Sequence, residues 1–186
     1  MTIYIKNMVC MRCKMIVREE LTHLGLHYTQ VDLGQADIIE DISIAQRDQI
    51  RSGLSKSGLE LIDDIKSILI EKIKNLIIEL VHYSVDPLPI NLSVYLSQQL
   101  HRNYTYMANI FSEAEGQSIE KFLIEHKIER VKELLVYNEL NLTEIAFKMH
   151  YSSVAHLSSQ FRKVTGHTAS QYKHLKVQRR ALLEEL

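Results

Sequence analysis

The only two prolines of this 186-residue chain, Pro87 and Pro89, divide it into halves with different sequence patterns. Proline cannot continue a helix, and it biases the preceding residue toward extended backbone. We therefore expect a linker over residues 85–90. A hydrophobic content of 46% and a charged content of 24% are typical of globular chains. The length then allows two small domains, one on each side of the linker.

The residues before the linker combine strand-like and helix-like patterns. Residues 3–8 begin with β-branched and aromatic side chains typical of a strand, and apolar spacing over residues 12–24 predicts a helix. Alternating residues around Gly34 predict a hairpin. A second helical pattern and a short final strand complete the set. The resulting β-α-β-β-α-β order predicts a ferredoxin-like α+β domain over residues 1–64 that senses a signal or dimerises.

A strongly helical pattern follows over residues 64–83, and we assign residues 65–84 as a connecting helix. Three additional apolar residues widen its stripe beyond one face: Ile70, Ile78 and Val81. Two interpretations remain open, because both faces can pack within the monomer or one can form the seam of a homodimer. Five charges in the most apolar stretch argue against a membrane span. Since no signal peptide is evident, we expect a cytoplasmic chain.

The residues after the linker predict helices and turns alone. The helical patterns lie near residues 92–100, 104–113, 117–137, 142–149, 153–165 and 169–180. A long central helix is thus flanked by two pairs of short helices, a pattern that predicts two helix-turn-helix units joined by that helix. We expect an all-α domain over residues 91–180, followed by a tail over 181–186.

The segment from Ile145 to Lys173 resembles the signature of AraC/XylS-type transcription regulators. The residues on register are Ile145, Ala146, Leu157, Phe161, Arg162, Gly166, Tyr172 and Lys173. An upstream set matches the family's first helix-turn-helix: Leu96, Asn103, Met107, Phe111 and Gly116. The chain has His150 where the family has a turn glycine, and Ala169 where it has proline. The resemblance implies a non-enzymatic regulator that binds promoter DNA as a duplex, with RNA polymerase as a further partner and no required cofactor.

The family's base-contacting positions can be carried over onto both predicted recognition helices. The first helix then offers Tyr104, Thr105, Ala108 and Asn109, and the second offers Val154, Ala155, His156 and Ser159. An asparagine such as Asn109 suits adenine, and His156 can donate to an acceptor edge of a base. Arg162 and Lys163 are expected at phosphates, which position the protein without specifying sequence.

The formal net charge of −1 conceals an uneven distribution of charge along the chain. Residues 1–65 hold 7 basic and 10 acidic side chains, whereas the segment from Ile145 through Leu183 holds seven basic residues and no acid. A locally basic surface supplies the salt-sensitive part of DNA affinity. The near-neutral total therefore does not exclude a DNA-binding protein. No nucleophile-elbow or phosphate-loop motif is present, so we expect no enzyme.

The two cysteines, Cys10 and Cys13, share one loop between the first strand and the first helix. The M-x-C-x-x-C context resembles heavy-metal-associated domains, which bind Cu(I) through two thiolates. Soft sulfur ligands favour Cu(I) or Zn(II). Three interpretations remain open: a metal site, a redox switch and a small buried pair. For the whole chain, the alternative is a metal-trafficking or thiol-redox protein whose helical half is a protein-interaction module.

Overall fold

The computed structural model describes residues 1–83, 90–137 and 139–175. Of the predicted linker only Ile90 falls within this part, and the predicted tail over residues 181–186 lies outside it. The described part divides into two compact units. The first comprises Met1–Ile77 and Ser93–Ile110, and the second comprises the other described residues. No described helix is long and apolar enough to cross a membrane.

The first unit contains a four-stranded antiparallel sheet with the strand order β2-β3-β1-β4. Its strands are β1 (Thr2–Lys6), β2 (Tyr28–Asp32), β3 (Gln35–Ile38) and β4 (Glu60–Ile62). The central strand β1 pairs Ile3 with Ala36 of β3, and Ile5 with Leu61 of β4. Two helices, α1 (Met11–His23) and α2 (Ile44–Ser55), interrupt the strands. The element order along the chain is therefore β-α-β-β-α-β.

The core of this sheet follows from the alternation of side chains along β1. Ile3 and Ile5 are completely buried, and Tyr4 between them points to the opposite face. The two interrupting helices bury Val17, Leu21, Ile50 and Leu54. Helix α2 begins with a capping box, in which Ser43 and Gln46 each bond the backbone N–H of the other.

Helix α3 (Ile65–His82) covers the face of the sheet that carries Tyr4. The Lys72 ammonium lies 4.7 Å from the centre of the Tyr4 ring, and the Asn75 amide donates to the Leu33 carbonyl at 3.2 Å. Gly34 has a φ of 80°, and a Cβ there would collide with Asn75, so this turn requires glycine. The apolar residues that widened the helix stripe, Ile70, Ile78 and Val81, are buried within one copy of the chain.

The remaining described residues form helices, with bounds that agree with the sequence patterns to about two residues. They are α4 (Leu92–Leu100), α5 (Tyr104–Glu115), α6 (Ile119–Tyr137), α7 (Leu142–Lys148) and α8 (Val154–Thr165), and residues 169–175 are also helical. The N-cap of α7 is Asn141, which forms a capping box with Glu144. Gly166, with φ of 76°, ends α8.

The turns of both helix-turn-helix units contain a histidine in the left-handed region. His101 follows α4 with a φ of 51°, and His150 follows α7 with a φ of 55°. The resemblance placed a glycine at the position of His150, and the structure shows why glycine suits it. A left-handed conformation costs a residue with a Cβ about 1–2 kcal/mol relative to the right-handed one.

Replacing His101 by glycine is therefore expected to raise the free energy of unfolding by up to about 1 kcal/mol, because the strain is removed. Thermal unfolding of the purified protein measures the change. Arg102→Gly provides a matched control, since Arg102 does not have a positive φ. That variant should lower the stability, because glycine only adds entropy to the unfolded chain. A loss of stability in both variants would contradict the strain at His101.

Candidate nucleic-acid interface

The second helix-turn-helix unit is built on a buried core shared by α7, α8 and the helical residues after them. Ile145, Leu157 and Phe161 are completely buried, and Ala146 nearly so. The Phe161 ring meets the edge of Tyr172 with a centroid distance of 5.6 Å and an interplanar angle of 77°. Such an edge-to-face contact adds to the burial energy. This core fixes which side of α8 remains accessible.

The accessible side of α8 carries the residues predicted to contact DNA. Ala155, His156, Ser159, Arg162 and Lys163 are all exposed, and Val154 is half-buried at the first helical position. Their spacing of three, four and seven residues places them on one face of the helix. Arg162 and Lys163 occupy the last turn, where basic side chains complement the helix dipole.

The N-terminus of α8 differs from the sequence prediction by one residue. The helical pattern begins at residue 153, whereas the helix begins at Val154, because Ser153 is the N-cap and its hydroxyl accepts from the His156 N–H at 3.1 Å. Ser152 is then free for a different contact, and its Oγ lies 3.1 Å from Nδ1 of the same histidine. The imidazole of His156 also meets the Tyr151 ring edge-on, with centroids 5.3 Å apart. His156 is thus held on an otherwise exposed surface.

Tyr151 connects this surface to the interior, a role that sequence reasoning missed. Its hydroxyl donates to Oε1 of Gln160 on α8 at 2.7 Å, and burial raises its pKa to about 12. Lys127 of α6 reaches the same turn, donating to the Met149 carbonyl at 3.0 Å, with its ammonium 5.2 Å from the Tyr151 ring centre. Burial lowers the pKa of Lys127. The carbonyl and the aromatic ring are the two groups that stabilise the ammonium of this half-buried side chain.

The first helix-turn-helix unit presents its own candidate residues at the start of α5. Asn103 caps this helix, since its side-chain oxygen accepts from the N–H groups of Thr105 and Tyr106. Thr105 and Asn109 are exposed, and Tyr104 and Ala108 are half-buried. A groove of about 490 Å³ beside this end of the helix is lined by residues that include Ser93, Ser97, Gln98 and Arg102. Arg102 is the one charged side chain in the lining of this groove.

Cys10 and Cys13 lie together at the start of α1. Cys10 is the N-cap residue, and the two Sγ atoms are 3.5 Å apart. The Cys13 backbone N–H directed at Cys10 is the largest cause that lowers the pKa of the Cys10 thiol, and Arg12 contributes to the same shift. Within the described residues no group of three or more metal-binding side chains occurs. Two thiolates suit soft Cu(I), whereas Zn(II) takes four ligands and would find half of them here.

Because the pKa of Cys10 is lowered in the folded protein, we expect its alkylation to begin at lower pH than in the unfolded protein. In a Cys13→Ser protein, which keeps the backbone N–H at position 13, the midpoint of the pH–rate profile for iodoacetamide should lie lower in the folded state than in urea. The thiolate is the reactive form, and a lowered pKa populates it at lower pH. Identical midpoints in the folded and unfolded protein would contradict the effect of the helix start.

Comparison with known proteins gives a match for the C-terminal part. Residues 96–174 match the family described as "Helix-turn-helix domain". Among solved structures, the chain is similar to a DNA-binding transcriptional dual regulator from Escherichia coli K-12, at 19% identity and a TM-score of 0.50, covering 59% of this chain and 93% of that one. No curated protein matches the chain.

Two further structures are similar to the chain. The C-terminal domain of AraT, a response regulator from Geobacillus stearothermophilus, has 22% identity and a TM-score of 0.51, over 60% of this chain and 88% of that one. ToxT from Vibrio cholerae has 17% identity and a TM-score of 0.50, over 88% of this chain and 66% of that one. At these identities the likeness shows a common fold. The family match adds that residues 96–174 are similar in sequence to a helix-turn-helix domain.

Proposed function

We propose that the protein is a non-enzymatic transcription regulator of AraC type that binds double-stranded promoter DNA with sequence specificity. The observation that carries the proposal is the exposed face of α8, where every predicted contact residue except Val154 is accessible beside a fully buried core. The family match over residues 96–174 supports it. In such domains the second helix of each unit enters the major groove.

The chemistry of each recognition helix suits this role. On α8 the apolar surfaces of Val154 and Ala155 suit thymine methyl groups, and Arg162 and Lys163 suit phosphates. On α5 the exposed Asn109 suits adenine, and Arg102, in the turn before α5, lines the groove beside it. From Ile145 to the end of the described residues the chain contains no acidic residue, so no carboxylate of this segment repels the DNA phosphates from α8.

Genome-wide capture of bound DNA with the full-length purified protein tests the proposal. We expect recovery of a defined sequence, which then binds in fluorescence anisotropy far more tightly than random duplex of equal length and weakens steeply as salt rises. Asn109→Ala and His156→Ala should relax the selectivity. Equal affinity for captured and random duplexes would refute sequence-specific regulation.

Arg162→Ala is expected to weaken binding to all duplexes alike, because a phosphate contact carries no sequence information. The slope of log K against log salt should decrease in magnitude by about one. Anisotropy titrations at several salt concentrations measure both quantities for the captured and the random duplex. A selective loss on the captured sequence would instead assign Arg162 to a base.

We further infer that residues 1–64 form a ferredoxin-like sensing domain, because their strand order and antiparallel pairing follow that pattern. The proposed divisions are residues 65–84 as connector, 85–90 as linker, 91–180 as DNA-binding domain and 181–186 as tail. We also propose that the protein forms a homodimer through the N-terminal domain or α3, and that it contacts RNA polymerase. Sedimentation of the protein with and without its DNA tests the dimer.

A response to a soft metal or to redox state is proposed for Cys10 and Cys13, on the basis of their 3.5 Å sulfur separation. Anaerobic titration with Cu(I) should give one equivalent bound, and Cys10→Ser should abolish it. Repeating the DNA capture with and without copper shows whether the metal alters operator binding. Copper binding without any selective DNA binding would favour the alternative, a metal-trafficking or thiol-redox protein.

A further inference from the structure

We propose that Ser152 and Tyr151 are positioning residues that fix the imidazole of His156, with Nε2–H directed outward to the acceptor edge of a guanine. The proposal rests on the proposed DNA-binding function and specifies how one base is selected. Neither Ser152 nor Tyr151 is among the residues predicted to contact DNA. Both lie in the turn that precedes α8.

The first step is the tautomer of the imidazole. The Ser152 hydroxyl lies 3.1 Å from Nδ1 of His156. A serine hydroxyl can donate, and a neutral imidazole carries its proton on only one nitrogen. When the hydroxyl donates to Nδ1, Nε2 carries the proton and becomes the donor. Because the two nitrogens occupy different positions of the ring, the contact at Nδ1 leaves Nε2 available to DNA.

The second step is the plane of the ring. The edge-to-face contact with Tyr151, at 5.3 Å and 85°, restricts rotation of the His156 side chain from one side. An unrestrained histidine side chain on an exposed helix rotates freely, so DNA binding would have to fix it at a cost in conformational entropy. A ring fixed before binding avoids that entropic cost. The pair of contacts therefore pre-organises one exposed donor.

The third step is what holds Tyr151. Its hydroxyl is bonded to Gln160 on α8, and the Lys127 ammonium of α6 lies over its ring. Lys127 in turn donates to the carbonyl of Met149, the C-cap of α7. Tyr151 is thus fixed by groups from two helices, and the orientation of His156 is defined by the packed interior of the unit.

The fourth step is the base. In the major groove guanine presents two adjacent acceptors, N7 and O6, whereas cytosine presents a donor. Adenine N7 stands beside an amino donor and thymine O4 beside a methyl group, so guanine is the base at which an outward N–H meets acceptors alone, and the cytosine amino group repels it. We therefore assign guanine to the operator position that His156 contacts.

A spectroscopic measurement tests the orientation without DNA. Long-range ¹H–¹⁵N spectra of the folded full-length protein should show the Nε2–H tautomer at His156. In Ser152→Ala the spectra should shift toward a mixture of tautomers, whereas the control Ser170→Ala, an exposed serine outside α8, should leave them unchanged. An unchanged His156 tautomer in Ser152→Ala would overturn the role of Ser152.

A binding measurement tests the selectivity on the captured operator. Ser152→Ala should reduce discrimination at one base pair by about tenfold, with an unchanged salt slope and unchanged affinity for random duplex. Replacing that guanine by 7-deazaguanine should reduce the DNA affinity of the unaltered protein more than it reduces the affinity of the Ser152→Ala protein. Tyr151→Phe, which keeps the ring, should retain most of the discrimination, whereas Tyr151→Leu should lose it.

A double-mutant cycle separates positioning from general damage to the fold. Ser152→Ala in a His156→Ala background should cause no further loss of discrimination, because the residue it positions is absent. An equal loss in both backgrounds would overturn the proposal while leaving the DNA-binding function intact. If the unaltered protein selects no duplex, both the DNA-binding function and the assignment of guanine are refuted. The spectra then test only the orientation of the ring by Ser152.

Discussion

Replacement of Phe161 by alanine is expected to destabilise the protein by about 3–5 kcal/mol, the largest stability change we predict. Phe161 is completely buried, and its ring meets Tyr172 edge-to-face. Deleting it removes apolar burial, leaves a cavity and loses the aromatic pair. Since whole domains are stable by only about 5–15 kcal/mol, this loss is a large fraction of the total, and the midpoint of unfolding should fall markedly.

Denaturant unfolding followed by circular dichroism measures this effect, and Phe147→Ala is its matched control. Phe147 lies on α7 of the same unit, but its side chain is 84% exposed. The same substitution there should change stability by no more than about 0.5 kcal/mol. Similar unfolding midpoints for the two variants would show that α8 is not packed through Phe161.

Ala155→Glu should produce the largest loss of DNA binding that leaves the fold intact. Ala155 is exposed on the face of α8 that carries His156 and Ser159, so a longer side chain meets no core. A carboxylate there would face the polyanionic duplex, and like charges at an interface cost several kcal/mol. At 1.4 kcal/mol per factor of ten, affinity should fall about 100-fold or more.

The control for this variant is Ala114→Glu, which adds the same charge at another exposed alanine. Ala114 lies near the end of α5 between Glu113 and Glu115, outside the predicted contact positions. Anisotropy titrations should show a small change for this variant, and circular dichroism should show native helix content for both. Equal losses of affinity would indicate that net charge matters and that the face of α8 does not.

The helices were predictable because their signals are local. Caps such as Asn141, terminators such as Gly166 and the three-to-four spacing of apolar residues define α7 and α8 without knowledge of packing. The one-residue difference at the start of α8 arises because two serines are adjacent, and only the backbone geometry shows that Ser153 accepts the His156 N–H. The other serine thereby becomes available to the imidazole.

The support of the candidate site was not predictable, because it depends on tertiary approach. Lys127 reaches Met149 and Tyr151 across more than twenty residues, and no local pattern indicates that pairing. Likewise, Asn75 interrupts the apolar pattern of α3 with no sequence signal for its bond to the Leu33 carbonyl. The C-x-x-C spacing, in contrast, is local, and the two sulfurs lie 3.5 Å apart at the start of α1.

The central position of β1 has a consequence for synthesis of the chain on the ribosome. β1 is translated first, yet both of its partners, β3 and β4, come later, and the last of them ends at Ile62. Both backbone edges of β1 lack their native partners until β3 is made, and the edge that pairs with β4 stays open until Ile62. The nascent segment therefore has an interval in which an apolar strand is open to other chains, the condition under which β pairing promotes aggregation. Slow translation after Ile62 would let the sheet close before the helical half emerges.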